Sequence, residues 1–278
     1  MKHGVHVALW MRTWTEDVTP HLDRVAAIGF DGAEVSLLGL DRSAAEALGR
    51  RARSLGLELT CTTGLAAGED VGSVDPDVRR RGIAALEQGL RTVHALGATL
   101  LSGVIYAPWS QRRQEDRDGR WGQSVEALAQ VAPLAFDLGI RLGIEAINRY
   151  ETDLVTTAEL AARMAHQVGH PAVGVLLDTY HMNVEEKGLA AAIRATGDQL
   201  VHLHVAENDR GVPGSGHVQW GDIVGALRAV GYDGWATLEM FVLADASVSP
   251  DLSIWRPIEA DADEAARAGL AFLREHLA

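Results

Sequence analysis

Residues 173–183 read VGVLLDTYHMN, and this stretch decides the fold. An apolar run stops abruptly at Asp178, and the polar segment that follows it carries His181. An unbroken apolar run of this length is typical of a central strand in a parallel sheet, because both faces of such a strand are buried. The carboxylate at its end predicts that the carboxyl end of this strand opens into a functional site.

Three neighbouring segments repeat this pattern. Each is an apolar run with one side chain of a metal-binding type near its end: Glu145 in residues 141–147, His204 in residues 200–205 and Glu239 in residues 235–241. Four earlier apolar runs complete a set of eight strand candidates: residues 4–10, 32–37, 57–62 and 99–106. We expect the four ligand-type side chains to lie at about the same height and to converge on one site.

Amphipathic helical patterns separate the strand candidates. In residues 77–96 the apolar side chains recur at spacings of three and four, which predicts a helix with one buried face. A glycine follows most helical stretches, as expected for a left-handed helix terminator. These glycines are Gly29, Gly56, Gly97, Gly139, Gly169, Gly197 and Gly231. Eight alternations without a break in composition predict an α/β fold, with one (β/α)₈ TIM barrel domain over residues 1–278.

The connections between these elements are of two kinds. Helix-to-strand links are short glycine turns, whereas four of the links after strands are long: residues 64–77, 107–123, 206–220 and 242–260. Long loops that cluster at the carboxyl ends of strands mark the functional face of a barrel. The loop lengths and the polar strand ends therefore point to the same face.

Composition narrows the classes of function. The formal charge of −13 argues against a nucleic-acid partner, because binding to a phosphate backbone needs a basic surface. No apolar run is long enough to span a membrane. The apolar stretch at the amino terminus is interrupted by His6 and Arg12 and is too short for a signal peptide. A cytoplasmic protein is expected. The lone cysteine, Cys61, lies in an apolar segment and is expected to be buried and inert.

The four strand-end side chains suggest a metal centre. Three carboxylates brought together repel one another, and burying them without a counter-charge would be too costly for folding. Three oxygen donors and one imidazole suit Mn²⁺, Mg²⁺ or Co²⁺ in an octahedral shell, with two positions left for water or substrate. The alternative is that each carboxylate caps a helix or pairs with an arginine at the rim.

Three further polar residues accompany the proposed ligands. His202 shares strand parity with His204, and we expect it to support the ligands or the core rather than to bind the metal. His181, on the turn after Asp178, can donate a hydrogen bond to a substrate oxygen. Arg210, in the loop after the seventh strand, can hold a developing oxyanion but cannot act as a base. His181 and Arg210 could equally be a rim salt bridge or a loop anchor.

The motifs that carry these residues resemble one enzyme family. They are EAINRYETD from Glu145, LDTYHMNVEE around Asp178, HLHVAENDRGVPGSG from His202 and LEMF around Glu239. In order and spacing they are similar to the ketose 3-epimerases, the D-tagatose and D-allulose (D-psicose) 3-epimerase group of the xylose-isomerase-like barrels. The likeness runs from MKHG at the start of the chain to WRPI near its end.

The resemblance implies roles for individual residues. Glu145, Asp178, His204 and Glu239 would bind one divalent metal ion, with Mn²⁺ expected and Co²⁺ or Mg²⁺ as alternatives. Glu145 and Glu239 would also form the acid/base pair. Glu151, His181 and Arg210 would bind substrate, and Trp14, Trp109, Phe241 and His6 would line the pocket. Related enzymes form dimers or tetramers, so a homo-oligomer is expected.

The chemistry of C3 inversion fits this assignment. An enzyme that inverts C3 of a ketose removes a proton from one face and returns a proton to the other, whereas one base tends to return it to the same face. Two carboxylates on separate strands can each serve one face. The metal would lower the cost of the cis-enediolate by bearing its negative charge, and His181 and Arg210 would add donors.

The choice of substrate is the point at which this chain departs from the pattern. His6 stands where relatives usually carry tyrosine or phenylalanine over the far end of the sugar, which leaves tagatose, allulose, fructose and ribulose-type substrates open. No cluster of Arg or Lys forms a phosphate clamp at the last two loops, which favours a free ketose. The alternatives are an aldose–ketose or hydroxypyruvate-type isomerase on the same barrel, and a barrel repurposed as a sugar-binding or repair protein.

Overall fold

Eight parallel strands close into a barrel in the computed structural model, which describes residues 1–112 and 115–277. The strands are β1 (Lys2–His6), β2 (Gly32–Ser36), β3 (Glu58–Leu65), β4 (Leu100–Pro108), β5 (Arg141–Glu145), β6 (Val173–Asp178), β7 (Leu200–Val205) and β8 (Trp235–Leu238). Each strand pairs with the next along the chain, and β8 pairs with β1. The predicted α/β fold and (β/α)₈ barrel are confirmed.

Helices form the outer layer of the barrel. In the described ranges they are α1 (Thr19–Ile28), α2 (Ala45–Ser54), α3 (Pro76–Leu96), α4 (Arg117–Asp137), α5 (Ala158–Val168), α6 (Thr179–Glu185), α7 (Leu189–Thr196), α8 (Trp220–Ala229) and α9 (Ala262–His276). The predicted helix over residues 77–96 corresponds to α3, which begins one residue earlier, at a proline that favours the first turn. No helix in this part of the chain is long and apolar enough to cross a membrane.

The glycines predicted to end helices adopt the expected backbone. All seven have positive φ, for example 101° at Gly29 after α1 and 75° at Gly97 after α3, but the ψ of −133° at Gly197 lies outside the left-handed helical region. At Gly97 the backbone N–H turns back to the carbonyls of His94 and Val93, which closes the last turn of the helix. These turns bring the chain directly into the next strand.

Two strand boundaries differ from the prediction in a way that matters for the site. The apolar run 4–10 suggested one long strand, but β1 ends at His6 and Val7–Leu9 form a 3₁₀ turn. His6 Nδ1 accepts a hydrogen bond of 3.2 Å from the Ala8 N–H, and this contact caps the turn. The run 235–241 also ends early, at Leu238, so Glu239 lies just beyond β8.

The interior of the barrel is polar near its carboxyl end. Strand register places Glu34 beside Thr60 and His204 beside Thr237, and all four side chains are buried. Bulky branched apolar residues usually fill the interior layers of a TIM barrel. Here buried polar side chains form the floor on which the site is built.

Candidate metal centre

Glu145, Asp178, His204 and Glu239 converge at the carboxyl end of the barrel. Glu145 ends β5, Asp178 ends β6, His204 is the penultimate residue of β7 and Glu239 follows β8. One ligand atom from each of the four lies within 4.8 Å of the others, and all four side chains are buried. The predicted convergence of four successive strand ends is therefore observed.

The imidazole of His204 is oriented with one nitrogen toward the carboxylates. Its Nε2 lies 2.6 Å from Glu34 Oε1, at hydrogen-bond geometry. Its Nδ1 lies 3.3 Å from Glu239 Oε1 and 3.7 Å from Glu145 Oε1, and it has no hydrogen-bond partner among the described residues. In the neutral form of this ring the hydrogen is on Nε2, because a carboxylate can only accept there, and the lone pair of Nδ1 then faces the cluster.

The electrostatics of the cluster call for added positive charge. Burial raises the pKa of Glu145 to about 7, and the charge of Glu239 adds to this effect. Burial also raises the pKa of Asp178. Burial would lower the pKa of His204, but the negative charges of Glu239 and Glu34 raise it well above its ordinary value. Burial would also raise the pKa of Glu239, but the charges of His204 and Arg210 hold it well below its ordinary value.

The donor set fits a divalent cation. Three carboxylates and one neutral imidazole are ligands of the kind that Mn²⁺, Mg²⁺ and Co²⁺ accept, and the buried Nδ1 without a partner is one of them. Without a cation between them, the three buried carboxylates would repel one another and destabilise the cluster. The residues present therefore fit the metal centre that the sequence suggested, and their roles as ligands stay a prediction.

Both alternatives to metal binding also occur at Asp178. Its Oδ1 accepts a hydrogen bond of 2.7 Å from the Tyr180 N–H and so caps α6. Its Oδ2 accepts one of 2.5 Å from Arg210 Nη1. These two contacts also hold the Asp178 carboxylate in place beside the other three side chains.

Arg210 reaches the centre from the loop after β7. Its Nη1 also lies 2.8 Å from Glu239 Oε2, and its guanidinium packs 4.0 Å from the centre of the Tyr180 ring. Its backbone φ of 71° lies in the left-handed region, which costs energy for a residue other than glycine. The loop that holds it there is fixed by Glu207, whose carboxylate accepts hydrogen bonds from Gly214 N, Val218 N and Trp220 Nε1.

His181 lies in α6 rather than on the turn that the sequence suggested. Two donors flank its ring, because the Asn148 N–H lies 3.2 Å from Nδ1 and Arg210 Nη2 lies 3.1 Å from Nε2. Burial lowers the pKa of His181 to about 4, which keeps the ring neutral. Nε2 also lies 3.9 Å from Glu145 Oε1, so the ring stands beside the centre.

Glu151 stands at the rim and joins two other side chains. Its Oε2 accepts a hydrogen bond of 3.0 Å from Trp109 Nε1, and its Oε1 accepts one of 2.9 Å from Asn148 Nδ2. Asn148 therefore positions both Glu151 and His181. We did not single it out in the sequence, although it lies within the EAINRYETD motif.

Aromatic rings and an imidazole form the walls of the cleft above the centre. Trp14 and Trp109 meet edge to face with centroids 6.4 Å apart, and His6 meets Phe241 in the same way at 6.1 Å. His6 Nε2 lies 3.0 Å from Thr62 Oγ1. The cleft has an empty volume of about 600 Å³ and is open to solvent.

The structure brings all of the predicted site residues together. Nine of them line the cleft: His6, Trp14, Trp109, Glu145, Glu151, His181, Arg210, Glu239 and Phe241. Asp178 and His204, with no exposed surface, lie beneath its floor. Cys61 is buried, and burial raises the pKa of its thiol, as expected for an inert cysteine. His202 is also buried, in contact with Glu34 instead of the carboxylate cluster.

Glu34 is a residue of this site that we missed in the sequence. It lies on β2, has no exposed surface, and contacts both His202 and His204. A signal was present, because a carboxylate stood inside the apolar run 32–37. It was overlooked because it lies in the middle of that run and we looked for ligands at strand ends.

The model of one known family matches most of the chain. The family is described as the xylose isomerase-like TIM barrel, and the match covers residues 22–276. A relative from Ruminiclostridium cellulolyticum, called D-psicose 3-epimerase, is 36% identical, and the alignment covers 99% of this chain and 97% of the relative. A relative from Methylomonas sp., called L-ribulose 3-epimerase, is 31% identical over 99% of this chain and 97% of its own length.

Solved structures give the same result. The crystal structure of a D-psicose 3-epimerase with D-tagatose, from Clostridium cellulolyticum H10, superimposes with a TM-score of 0.95 and 35% sequence identity. That superposition covers 100% of this chain and 99% of the other. The likeness therefore extends over the whole barrel.

Proposed function

This chain belongs to the xylose isomerase-like TIM barrel family and, within it, to the ketose 3-epimerases, and we propose that it inverts C3 of a free ketose with one divalent metal ion. The observation that carries the proposal is the convergence of four buried ligand-type side chains within 4.8 Å at the carboxyl end of the barrel. In a TIM barrel this is the end where active sites lie. Family and site point to the same isomerase chemistry.

Glu145, Asp178, His204 and Glu239 would hold the metal ion. A divalent cation there would polarise the oxygens of the ketose and stabilise the negative charge that develops when C3 loses its proton. We propose Mn²⁺ as the ion, because three hard oxygen donors and one imidazole suit it, with Co²⁺ and Mg²⁺ as alternatives. His204 contributes through Nδ1, the nitrogen that faces Glu145 and Glu239.

Glu145 and Glu239 would move the protons. One glutamate, as a carboxylate, would take the proton from C3; the electron pair of the broken C–H bond becomes the C2–C3 double bond of a cis-enediolate, and the π pair of the C2 carbonyl moves onto O2. The other glutamate would start protonated and deliver its proton to the opposite face of C3, which closes the inverted C–H bond while the pair on O2 restores the carbonyl. The two residues exchange roles between the forward and the reverse reaction.

His181, Arg210 and Glu151 would hold the substrate. The guanidinium of Arg210 is a donor beside the carboxylate cluster, where oxygens near C3 would carry developing charge, and His181 Nε2 lies 3.1 Å from Arg210 Nη2. Glu151 can accept from a hydroxyl at the rim. Trp14, Trp109 and Phe241 offer ring faces and edges to the C–H groups of a sugar.

The names of the relatives support a free ketose as the substrate. The relatives are called D-psicose and L-ribulose 3-epimerases, so we propose a ketohexose such as allulose, tagatose or fructose, or a ribulose-type ketopentose. We propose that His6, which contacts Thr62 in the wall of the cleft, meets the far end of the sugar. We also propose one domain over residues 1–278 and a homo-oligomeric, cytoplasmic enzyme, as expected from the sequence.

The experiment that tests this function is a metal-dependent conversion assay. Purified protein is dialysed against EDTA, Mn²⁺ is restored, and the conversion of fructose to allulose is followed by chromatography. We expect turnover to vanish with EDTA and to return with Mn²⁺. If the Mn²⁺-loaded protein converts neither fructose, tagatose nor ribulose at C3, the proposal is wrong.

The same assay in D₂O separates epimerisation from isomerisation. An aldose–ketose or hydroxypyruvate-type isomerase moves hydrogen between C1 and C2, whereas a 3-epimerase exchanges hydrogen at C3. We expect deuterium at C3 of the recovered ketose and none at C1, measured by NMR. Deuterium at C1 alone would favour the isomerase, which the named relatives do not favour.

A further inference from the structure

Glu34 is a carboxylate buried in the barrel interior, and of the four proposed ligands it contacts His204. It lies in the middle of β2, has no exposed surface, and has no part in the chemistry described above. A buried carboxylate without partners would cost several kcal/mol, so its contacts decide what it does. All of them lie inside the barrel, beneath the cleft.

Each oxygen of Glu34 has its own partners. Oε1 lies 2.6 Å from His204 Nε2, and this is the hydrogen bond that turns His204 Nδ1 toward Glu145 and Glu239. Oε2 accepts a hydrogen bond of 2.9 Å from Thr60 Oγ1 and lies 2.8 Å from His202 Nε2. Thr60 and His202 thus anchor one oxygen and leave the other for His204.

We propose that Glu34 is a positioning residue for the metal centre, which fixes the hydrogen of His204 on Nε2 and makes Nδ1 a stronger donor to the divalent ion. A carboxylate that accepts from the distal N–H of a ligating imidazole holds the ring in place and increases the basicity of the other nitrogen. Because Glu34 is on β2, it ties the first half of the barrel to ligands that all come from the second half. This inference rests on the proposed metal dependence.

The test is the affinity of three variants for Mn²⁺, measured by EPR of the free ion and not by turnover. Glu34→Leu removes the charge and the acceptor, and we expect the Kd for Mn²⁺ to rise about 10- to 100-fold. Glu34→Gln keeps an acceptor for His204 but loses the charge, so we expect a smaller rise. Thr237→Val is the matched control, because its buried hydroxyl lies beside His204 in the register and has no hydrogen-bond partner in the described ranges.

The outcomes separate this inference from the proposed function. If wild-type protein does not bind Mn²⁺, the proposed metal dependence and the role of Glu34 both fail. If wild type binds Mn²⁺ and Glu34→Leu binds it within about twofold of Thr237→Val, only the inference fails. Weakened binding by the folded Glu34 variants, with the control near wild type, supports it.

A second measurement covers the case in which the Glu34 variants do not fold. Nitrogen-15 NMR of histidine-labelled wild-type protein, loaded with diamagnetic Mg²⁺, reports the tautomer of His204. We expect a hydrogen on Nε2 that exchanges slowly and resonates far downfield, as a short hydrogen bond to a carboxylate requires. A hydrogen on Nδ1 would overturn the proposal whatever the variants do.

Discussion

The two halves of the barrel supply different kinds of side chain to one cleft. Strands β5 to β8 bring a carboxylate or an imidazole at each strand end: Glu145, Asp178, His204 and Glu239. Strands β1 to β4 line the same cleft with uncharged groups: His6, Ser36, Thr62 and Gly103. Burial lowers the pKa of His6, so its imidazole is neutral as well.

This difference indicates that the two halves of the barrel serve different steps, catalysis and substrate recognition. The second half gathers negative charge that needs a cation, and it carries the groups proposed to move protons. The first half offers small hydroxyls and one fixed imidazole, which can recognise the hydroxyls of a sugar without changing the charge of the site. Changes to the cleft-lining groups of the second half should therefore lower the rate of the chemical step, and changes to the cleft-lining groups of the first half should change which ketose is preferred.

The largest expected effect is the loss of one proton-transfer group. Glu239→Gln is nearly isosteric but cannot take a proton from C3, so we expect kcat for ketose epimerisation to fall about 10³-fold or more. Glu145→Gln should fall by a similar factor, because each face of C3 needs its own base. Chromatographic assay of both directions measures the loss, and circular dichroism checks the fold.

The control for these variants is a carboxylate outside the cleft. Glu87 lies on α3, where it pairs with Arg91 at 3.4 Å, and Glu87→Gln should leave kcat within about twofold of wild type. A Glu239→Gln enzyme that kept near-normal turnover would contradict the two-base scheme. It would also remove the main distinction between the two halves.

A smaller loss of activity is expected when Arg210 is substituted. Its guanidinium binds two carboxylates of the second half, those of Asp178 and Glu239. Arg210→Lys keeps the charge but cannot place two N–H groups in the same fork, so we expect kcat/KM to fall about 10- to 100-fold. Arg256→Lys is the control, because Arg256 pairs with Asp209 beside Arg210 but is exposed to solvent. Equal losses in the two variants would mean that loop disturbance, and not the lost fork, is the cause.

The charged half of the site could be predicted from the sequence. A carboxylate or histidine that ends an apolar run is a strong signal, because burying it requires a partner, and four such signals in successive strands pointed to one edge. The alternation of apolar runs and amphipathic helical patterns likewise predicted the barrel from the sequence. Glu34 carried the same kind of signal, but only the closed strand pairing shows that a residue in mid-strand on β2 touches His204.

The uncharged half could not be predicted from the residues alone. Serine and threonine are common everywhere, so Ser36 and Thr62 carried no signal, and His6 was placed in the cleft only through the family resemblance. The apolar run 4–10 also concealed the end of β1, because a hydrogen bond from the Ala8 N–H to His6 Nδ1 turns the chain there. Such contacts depend on side-chain geometry that the pattern of apolar residues does not encode.

The smallest expected effect lies in the first half, at the contact between His6 and Thr62. Nδ1 of His6 accepts from Ala8, so Nε2 carries the hydrogen and donates it to Thr62 Oγ1 over 3.0 Å. His6→Phe breaks this hydrogen bond and releases the Thr62 hydroxyl in the wall of the cleft, and we expect the ratio of kcat/KM for allulose to that for ribulose to change about three- to tenfold, which is the value of one hydrogen bond. The change should appear in KM, with kcat within about twofold, because these groups do not touch C3 in the proposed mechanism.

Thr62→Val and the double variant show whether the two side chains act as a pair. If the hydroxyl of Thr62 serves to hold His6, then Thr62→Val should change the ratio in the same direction as His6→Phe, and the double variant should change it no further than His6→Phe alone. Additive effects would mean that each side chain meets the sugar separately. A fall in kcat in either single variant would place the first half in the chemical step, and the division between the halves would be wrong.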